Sequence, residues 1–547
     1  MGNKIKKIIT ILAIFCLAFT IATTCFAKDT CAKSPIINVG IMDNNFKTID
    51  KQEVTMYGTA CLYVYESGTE KTICKVSEEE LITFKRINNI TYACTDNKTY
   101  QTTKDFIVCC PNGVIGICDL KRRGKQALYR GEFKIHATKP DKFYLINTIE
   151  LEEYLKGVVS NEMPYYFGLE ALKAQAVAAR NYAIKPRTKV SKSYDVVDSV
   201  ASQVYFGYNT ETKEGNKAVE ETEGILAFYN TEPILALYSS CAGGYTENYS
   251  YTFSDPDSKQ FPSPLKPYLL AKPDNKDTVA LNREENAFNF YTTTPETYDN
   301  ESKYFRWTRE WTRTELEDAL KTNLPKQSKT GFVRPEYYDN TNFGTLKDLR
   351  VVRRGNSGKI IYLDIVTTNG KYRIEKELVI RRLFTKNGSA IPSANVVFVI
   401  DTDLDNQITN IKAYGGGYGH GVGMSQHGAN YMAKELKKSF DEILKHYYTG
   451  IFLGTKPVSL ENIDVVQCFY APSDRATIEI LDRKNLKTLN VEINNKLHSF
   501  DLSKYMNIQK CSIPISDYIK KNHKNTIIFI KPNEEKPQKR ELFIKFY

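Results

Sequence analysis

The chain has 547 residues, of which 41% are hydrophobic and 12% aromatic, and its formal net charge is +11. This composition excludes a disordered or fibrous chain. The length is sufficient for about two to four domains with a sizeable core.

Residues 1–27 have the pattern of a secretory signal. Three lysines precede an apolar run that begins at Ile8, and the small residues Cys25 and Ala27 predict cleavage after Ala27. An uncleaved anchor is the alternative, because the run from Ile8 to Phe26 is about as long as a short membrane-spanning helix. Both interpretations predict an exported protein that is extracellular, in the cell wall, or anchored in the membrane and facing outward.

The positive charge predicts binding to polyanions. Without the three lysines of the signal the net charge falls from +11 to +8, and a basic exported protein is attracted to anionic polymers. The teichoic acids and peptidoglycan carboxylates of a bacterial wall are such polymers. Nucleic acid is another, but export argues against it as a partner.

Ten of the twelve cysteines lie beyond the signal, and six of them are concentrated in one short segment. They are Cys61, Cys74, Cys94, Cys109, Cys110 and Cys118. Export permits disulfides, whereas no CxxC pair or neighbouring histidine indicates a zinc knuckle. A local set of disulfides and a set of buried thiols both fit this pattern.

Residues 35–126 are predicted to be rich in β-strands. Short apolar and β-branched runs alternate with Gly- and Asn-rich breaks, which is the pattern of a small sheet. Residues 129–135 and 143–146 then predict a hairpin that leads directly into a helix.

The central stretch, residues 147–184, is predicted to be a helix, a short break and a second helix. Apolar residues recur at helical spacing on both sides of the sequence Asn161-Glu162-Met163-Pro164. Because Pro164 lacks a backbone N–H and disfavours helical dihedrals at the preceding residue, the first helix should end near Asn161. Glu162 then lies at a helix end among apolar residues, where a carboxyl can stay protonated and donate a proton. A surface glutamate at a helix break is the alternative.

Downstream, residues 255–304 are polar and predicted to form a surface insertion. Trp307 and Trp311 lead into a helix predicted at 314–322, which should stop before Pro325. The tryptophan pair fits a hydrophobic anchor at the helix start, and stacking on a sugar ring is the alternative.

Residues 415–423 hold six glycines in nine positions, so their backbone can approach a ligand or another segment closely. No Gly-Lys-Ser/Thr follows, which excludes a Walker loop. His420, Ser425 and Gln426 are the polar side chains in and just after this run. A serine–histidine hydrolase is disfavoured because the Gly-x-Ser-x-Gly elbow is absent.

The last part of the chain begins with a single amphipathic helix predicted at 430–444. From Ser459 the pattern returns to short strands, and their spacing suits a small sandwich of about 90 residues. No catalytic pattern is evident in it.

Four blocks, in this order, resemble the stage II sporulation protein D family, also called the SpoIID/LytB domain. The first block is the most extensive and comprises YLKGVV at 154–159, Glu162-Met163-Pro164 and EALKAQAVAAR at 170–180. The others are QVYFG at 203–207, YSSCAGGYTE at 238–247 and GYGHGVGMSQ at 417–426. The resemblance implies an α+β fold, with a mixed helical and β SpoIID-like core at 121–455 between a β-rich N-terminal region at 28–120 and a small C-terminal β domain at 456–547.

The resemblance also implies a peptidoglycan lytic transglycosylase. Such an enzyme cuts the β-1,4 bond between N-acetylmuramic acid (MurNAc) and N-acetylglucosamine (GlcNAc), typically in strands stripped of stem peptides, and leaves 1,6-anhydro ends. One carboxyl is sufficient, because it protonates the leaving oxygen and then takes the proton of the muramic C6 hydroxyl, which replaces water. Glu162 occupies the position of the family's catalytic acid.

Seven further residues are predicted to contact substrate in the cleft beside Glu162. They are Tyr194, Asp195, Asp198, Gln203, His420, Ser425 and Gln426. For Asp195 and Asp198 the alternative is a structural role, in which they hydrogen-bond crossing loops together. Asp198 could also orient Glu162 or a substrate N-acetyl group.

The third block departs from the family at two positions. Some members carry a histidine and a cysteine there that are associated with zinc, but this chain has Ser239 and Ala242, with Cys241 shifted by one residue. Two soft ligands are missing, so neither zinc nor another cofactor is predicted.

The resemblance leaves a non-catalytic role open. LytB-type relatives are described as enhancers of a separate amidase, so the protein could bind the wall and stimulate an N-acetylmuramoyl-L-alanine amidase without cutting glycan. The predicted partners are therefore peptidoglycan glycan strands and a cell-wall amidase, in sporulation or in vegetative wall remodelling. Membrane contact is predicted only if the N-terminal segment stays uncleaved.

Overall fold

The computed structural model describes residues 34–69, 71–185, 191–275, 279–338, 340–505, 508–534 and 536–547. The predicted signal or anchor lies outside them. Helices and many strands are present, and the predicted α+β class is confirmed. Within the described ranges, no helix has both the length and the apolar character needed to cross a membrane.

The chain divides into two compact units. The larger unit comprises residues 37–222 and 226–453, and the smaller unit includes residues 223–225 and 454–547. The β-rich N-terminal region and the segments that resemble the SpoIID family therefore share one compact unit.

The larger unit begins with strands that form two sheets, one in the order β14-β1-β13-β12-β9-β4-β5 and the other in the order β11-β10-β3-β6-β7-β8. The strands are β1 (Ile36–Gly40), β2 (Asp50–Lys51), β3 (Glu53–Gly58), β4 (Leu62–Glu66), β5 (Thr72–Val76), β6 (Ile82–Ile87), β7 (Ile90–Cys94), β8 (Thr99–Thr102), β9 (Phe106–Cys109), β10 (Ile115–Arg122), β11 (Lys125–Tyr129), β12 (Glu132–Lys139), β13 (Lys142–Glu150) and β14 (Val196–Val197). Their alternating buried residues form the sheet interiors, and the predicted β-rich region is confirmed.

The hairpin predicted before the central helix is confirmed as β12–β13, which pair antiparallel from Glu132↔Thr148 to Lys139↔Lys142. The side-chain amide of Asn147, fully buried, donates to the carbonyls of Arg130 and Glu132. β13 runs without a loop into the first helix, so the sheet fixes the position at which that helix begins.

The central stretch forms two helices, α1 (Leu151–Glu162) and α2 (Leu169–Ile184), followed by α3 (Lys213–Glu220) and the short strands β15 (Ile225–Tyr229), β16 (Glu232–Pro233) and β17 (Tyr238–Ser239). Arg180 on α2 is almost fully buried, and it donates two hydrogen bonds of 2.8 and 2.7 Å to the Glu152 carboxylate on α1. Such a paired charge fixes the relative placement of the two helices.

Residues beyond β17 fold around two further apolar cores. The elements are α4 (Glu284–Tyr291), β18 (Trp307–Thr312), α5 (Arg313–Ser328), β19 (Val333–Arg334), β20 (Leu346–Arg354), β21 (Ile360–Thr367), β22 (Gly370–Glu375), α6 (Glu377–Leu383), β23 (Thr385–Lys386), β24 (Ser389–Ala390), β25 (Val396–Thr402) and β26 (Ile408–Gly415). β18, β26 and β25 form one sheet, and β19, β22, β21 and β20 form another.

Trp307 and Trp311 lie on β18 and not at a helix start. Both are buried, with 8% and 1% of their surface exposed, and their indole N–H groups donate to the carbonyls of Gly417 and Thr385. Residues four apart on a strand share a face, so the pair anchors the larger of these two cores. The anchor interpretation is confirmed, and burial rules out stacking of either ring on a sugar.

The prediction that the following helix stops before Pro325 was wrong, because α5 continues to Ser328. A capping box of Thr312 and Glu315 fixes its start. Leu324, Gln327 and Ser328 are buried, and this tertiary burial outweighs the hydrogen bond that the proline removes.

The single helix predicted at 430–444 is two helices. They are α7 (Gln426–Lys434) and α8 (Phe440–Tyr447), and the strand β27 (Met424–Ser425) precedes them. Lys437 has a φ of 54° in the connection, and Ser439 with Glu442 forms a capping box that begins α8. A capping box is readable as Ser-x-x-Glu, so the sequence contained the signal for this second start.

The smaller unit is built from short strands, as the sequence predicts. They include β29 (Val458–Leu460), β30 (Val465–Tyr470), β31 (Ala476–Ile480), β32 (Thr488–Ile493), β33 (Lys496–Asp501), β34 (Cys511–Pro514), β35 (Lys524–Phe529) and β36 (Arg540–Phe546), and β28 (Phe452–Thr455) precedes them. β30, β35, β32 and β33 form one antiparallel sheet, while β36 pairs with both β31 and β29.

The six clustered cysteines are free thiols. Cys74 and Cys110 are buried, and the other four are half-buried. Burial raises the pKa of the Cys74 thiol. Of the two predicted possibilities for these six described cysteines, the disulfide set is not found, and buried thiols are found only at Cys74 and Cys110.

Candidate active site

The break between α1 and α2 leaves Glu162 as the last residue of its helix, one residue beyond the predicted end. Met163 leaves the helical conformation with a φ of −128° and a ψ of 134°, and its N–H closes the last turn on the Val159 carbonyl. Pro164 has no N–H with which to continue this ladder. The start of α2 is held by a hydrogen bond from the Gly168 N–H to the side-chain oxygen of Asn430.

Glu162 lines a pocket of about 370 Å³, within the range of small-ligand sites. The other lining residues are Arg123, Ser160, Asn161, Pro164, Tyr165, Tyr166, Phe167, Thr212, Ser240, Gln426 and His427. Among these described residues Glu162 has the only carboxyl group and Arg123 the only permanent positive charge. Tyr165 and Tyr166 are 57% and 61% exposed, so two aromatic faces are available to a ligand.

One backbone group hydrogen-bonds the Glu162 carboxyl directly, and two side chains act on its pKa. The Val204 backbone N–H donates to Oε1 at 2.7 Å. The side chains of Tyr238 and Gln426 also lower the pKa of this carboxyl. All three groups favour the carboxylate form, so the site can stabilise the charge that a released proton leaves behind.

Tyr238 is itself held by a buried chain of hydrogen bonds. Gln203 donates from Nε2 to the Tyr238 hydroxyl at 3.0 Å and accepts at Oε1 from the Tyr154 hydroxyl at 3.1 Å. Because the Tyr238 oxygen accepts from Gln203, its own O–H hydrogen is not used in this chain of hydrogen bonds. Burial and the nearby Glu162 charge hold the pKa of Tyr238 well above its ordinary value, so it stays a donor.

The pKa of Glu162 is raised from 4.5 to about 7. Desolvation by the surrounding protein is the main cause, and it exceeds the opposite effects of the Val204 N–H and of the Gln426 and Tyr238 side chains. A carboxyl that titrates near neutrality can both donate and accept a proton, which is the property expected of a general acid and base.

The Gly-rich segment positions these partners rather than lining the pocket itself. β17 pairs in parallel with β27, and Tyr238 lies opposite Met424. A Cβ at Gly423 would lie 2.0 Å from the Leu237 carbonyl oxygen, and the φ of Gly423 is 74°, so this close approach requires glycine. The pairing holds together the segments that carry Tyr238 and Gln426, the two side chains that lower the pKa of Glu162.

Of the seven predicted substrate contacts, Gln426 lines the pocket and Gln203 lies one layer behind it. Gln426 also donates to the side-chain oxygen of Gln175 on α2 at 3.2 Å. Gln203 is fully buried. Its hydrogen bond to the Tyr238 hydroxyl orients the Tyr238 side chain.

Tyr194, Asp195 and Asp198 do not line this pocket. Asp195 accepts from the backbone and side chain of Asn38, and the Tyr194 ring packs edge-on against another tyrosine, Tyr144. Asp198 is fully buried and forms an ion pair of 2.6 Å with Arg122. The contacts of these residues are therefore those of the structural alternative, because they join β1 and β10 to the loop at 194–198.

His420 and Ser425 also lie outside the lining. Burial lowers the pKa of His420 to about 3, and its ring accepts a hydrogen bond of 3.1 Å from the Val422 N–H. Ser425 donates to Asp299 at 2.6 Å and accepts from the Gly428 N–H, which caps α7. Both residues support the segments that carry Tyr238 and Gln426.

Sequence reasoning missed Tyr238, Val204, Arg123 and His427 as site residues. Tyr238 and Val204 belong to two of the blocks that resemble the family. Only the β17–β27 pairing and the fold of the 203–207 loop place them near Glu162. The aromatic pair after Pro164 was visible as part of the environment of Glu162. No local pattern marks Arg123 or His427, because each reaches the pocket from a separate part of the chain.

The residues around Cys241 do not fit the zinc site of some relatives. Ser239 and Ala242 offer no soft ligand, and burial with the nearby Asp299 charge holds the Cys241 pKa well above its ordinary value, whereas zinc binds the thiolate. In the part of the chain that the structure describes, no group of three or more His, Cys, Asp or Glu side chains is arranged to hold a metal ion.

Comparison with known proteins identifies two matching regions. Residues 139–229 match the family model of stage II sporulation protein (SpoIID), and residues 256–423 match a domain of unknown function (DUF8618). The first region contains Glu162, Gln203 and Val204, whereas Tyr238 and Gln426 lie outside it.

Two relatives from Bacillus subtilis (strain 168) are similar to the chain. A protein named amidase enhancer is 35% identical over 317 residues, which are 55% of this chain and 40% of that protein. Stage II sporulation protein D is 29% identical over 323 residues, which are 56% of this chain and 74% of the relative. The chain thus matches less than half the length of the amidase enhancer. The domain match, these relatives and the four sequence blocks together confirm the resemblance to the stage II sporulation protein D (SpoIID) family, whose domain the chain contains at residues 139–229.

Proposed function

We propose that the protein is a lytic transglycosylase that cleaves the MurNAc–GlcNAc bond of peptidoglycan strands. The observation that carries the proposal is a single carboxyl, Glu162, with a pKa of about 7 in a pocket whose other described lining residues have no carboxyl. A hydrolase would need a second carboxylate, within about 5 to 10 Å, as nucleophile or base. A transglycosylase needs one, because the substrate supplies its own nucleophile.

In the proposed reaction protonated Glu162 gives its proton to the glycosidic oxygen, and the bond between that oxygen and muramic C1 breaks. The C6 hydroxyl oxygen of the same muramic residue then bonds to C1, and its proton passes to the Glu162 carboxylate. No water is consumed, and the acid is regenerated. The Val204 N–H and the side chains of Tyr238 and Gln426, all of which lower the pKa of Glu162, favour the carboxylate between the two transfers.

The surroundings of Glu162 suit a sugar. The exposed rings of Tyr165 and Tyr166 offer apolar faces, and their centroids lie 5.6 Å apart at nearly right angles. Tyrosine provides a flat apolar surface with a polar tip, and sugar rings have both apolar faces and hydroxyl edges. The net charge, which is +8 without the three lysines of the signal, further supports attraction to an anionic wall polymer.

We place this activity outside the cell, in the wall or at the outer face of the membrane. The secretory pattern of residues 1–27 supports export. The family supports a role in wall remodelling, in sporulation or in growth.

A second function, enhancement of an N-acetylmuramoyl-L-alanine amidase without glycan cleavage, is supported by the relative named amidase enhancer. The two functions separate in one assay, in which purified protein is incubated with bare glycan strands, with intact peptidoglycan, or with intact peptidoglycan plus amidase. Soluble fragments from bare strands alone support the transglycosylase. Product that appears only with the amidase, at a rate above that of the amidase alone, supports the enhancer.

Tyr238→Phe is expected to extend activity to higher pH. The substitution removes the hydroxyl that lowers the pKa of Glu162, and a carboxyl that loses such a group becomes a weaker acid. The pKa of Glu162 should then rise above about 7, and the acid form persists further into the alkaline range. The measurement is the pH dependence of kcat/KM for wild type and variant.

The matched control for this prediction is Tyr154→Phe. It removes a hydroxyl one step further along the same chain, where Tyr154 donates to Gln203 and not to Glu162. Its pH profile should follow that of wild type. Profiles of Tyr238→Phe and wild type that coincide would show that Tyr238 does not lower the pKa of the reacting carboxyl.

A further inference from the structure

Arg123 enters the Glu162 pocket from the turn between β10 and β11. Arg123 and Gly124 have φ values of 50° and 74°, so both lie in the left-handed region. Two-residue hairpin turns of this kind favour Asn, Asp or Gly at the first position, and a long side chain there is disfavoured by about 1 kcal/mol. A residue that turn chemistry disfavours is a candidate for a role outside the turn.

The Arg123 guanidinium is held by only one described contact. Nη2 donates to the Asn161 carbonyl at 3.1 Å, one residue before Glu162. In the described ranges it has no carboxylate partner, and the side chain is exposed. The preceding Arg122 is the opposite case, because it is buried and paired with Asp198. Most N–H groups of Arg123 are therefore available to a ligand in the pocket.

The charge of the pocket favours an anionic ligand. Burial lowers the pKa of His427, so its ring is neutral near pH 7. The proposed reaction begins with Glu162 protonated, and the remaining described lining residues are uncharged. Arg123 is then the one charged group that a bound substrate meets, and guanidinium groups bind carboxylates through paired N–H···O bonds.

We propose that Arg123 binds the lactyl carboxylate of a muramic residue that has lost its stem peptide, and that it thereby makes the protein prefer stripped glycan strands. The carboxylate is free in a stripped strand and is an amide where a stem peptide remains. An amide has no charge to pair with the guanidinium. This inference rests on the proposed function for its glycan substrate, but it concerns binding and not cleavage.

The test compares two probes that differ only in this charge. Bare glycan strands with free lactyl carboxylates are the first probe, and the same strands with those carboxylates converted to methylamides are the second. Dissociation constants are measured in the Glu162→Gln background, so that no turnover occurs. Protein with Arg123 should bind the free-carboxylate strands about ten- to a hundredfold more tightly, the range of a charged hydrogen-bonded contact.

Two variants of the same hairpin complete the design. Arg123→Asn should bind both probes equally weakly, and its unfolding temperature should match or exceed that of the parent, because Asn is favoured in this turn. Lys125→Gln removes one positive charge from the same hairpin at an exposed position outside the pocket lining. This control should keep the preference for free carboxylates.

Equal affinity of the parent for the two probes, or a preference that survives in Arg123→Asn, would overturn the inference. A lower unfolding temperature in Arg123→Asn with equal losses of affinity for both probes would instead assign Arg123 to capping the Asn161 end of α1, and would also overturn it. Arg123→Lys, which keeps the charge, should retain part of the preference. Because the readout is binding, its failure is distinct from a failure to find 1,6-anhydro products.

Discussion

Glu162→Gln is expected to lower the rate of glycan cleavage by about a hundred- to ten-thousand-fold, the usual contribution of a general acid and base. The amide keeps the shape of the side chain but cannot donate the proton that the leaving oxygen needs. The Val204 N–H can still donate to the amide oxygen. The variant should therefore fold and bind bare strands with nearly unchanged affinity while it releases almost no product.

Glu162→Gln should also change how the free energy of unfolding depends on pH. The folded pKa of Glu162, about 7, exceeds its ordinary value of 4.5. Between these values the folded state binds more protons than the unfolded state, so this carboxyl makes the free energy of unfolding fall as pH rises. Relative to wild type, Glu162→Gln should gain stability as pH increases from about 4.5 to about 7. Urea unfolding of both proteins at pH 4.5 and pH 8 measures the difference.

Two results would contradict this account of Glu162. Full activity in Glu162→Gln would locate the proton transfer elsewhere in the pocket. A pH-independent difference in stability between the two proteins would show that the carboxyl is not desolvated. Glu153→Gln is a suitable control, because Glu153 lies on the same helix in surface ion pairs with Arg130 and Lys156.

Asp198→Asn is expected to destabilise the protein by about 3–5 kcal/mol, the typical effect of removing one partner of a buried ion pair. Arg122 and Asp198 expose 1% and 0% of their side chains and are 2.6 Å apart. The substitution leaves a buried guanidinium without its counter-charge. The loss is measured by urea unfolding, and any loss of glycan binding should follow the loss of folded protein.

The matched control is Glu53→Gln, which removes one partner of an exposed pair. Glu53 and Lys85 are 3.0 Å apart but expose 52% and 45% of their side chains, so the effect should stay below about 1 kcal/mol. An Asp198→Asn protein of normal stability that no longer binds glycan would contradict the structural role. It would restore the prediction that Asp198 contacts substrate.

Local chemistry made the end of α1 predictable. Pro164 fixes where the helix stops, and the aromatic residues after it predict a desolvated carboxyl at Glu162. Pro325 shows the limit of such local rules, because α5 runs through it on the strength of buried contacts. A proline signal holds where no tertiary packing opposes it.

Which polar residues face the pocket was less predictable, because it depends on pairings between distant segments. In the sequence, Asp198 and Gln426 were equivalent candidates, because both are polar residues in or near the blocks that resemble the family. In the structure Asp198 pairs with Arg122, 76 residues away in the chain, whereas Gln426 lines the pocket of Glu162. No periodicity in either segment encodes these partners, and only the fold, through the β17–β27 pairing, reveals that Tyr238 acts on the pKa of Glu162.

The most direct test of the central claim is the chemistry of the fragment ends released from bare glycan strands by wild-type protein. Digestion in water enriched in heavy oxygen, followed by mass spectrometry, distinguishes the two outcomes. The account predicts 1,6-anhydro-muramic ends without heavy oxygen, since the C6 hydroxyl captures C1, and no such ends with Glu162→Gln. Reducing ends that carry heavy oxygen would contradict it, because water would then be the nucleophile and a second carboxylate would be required.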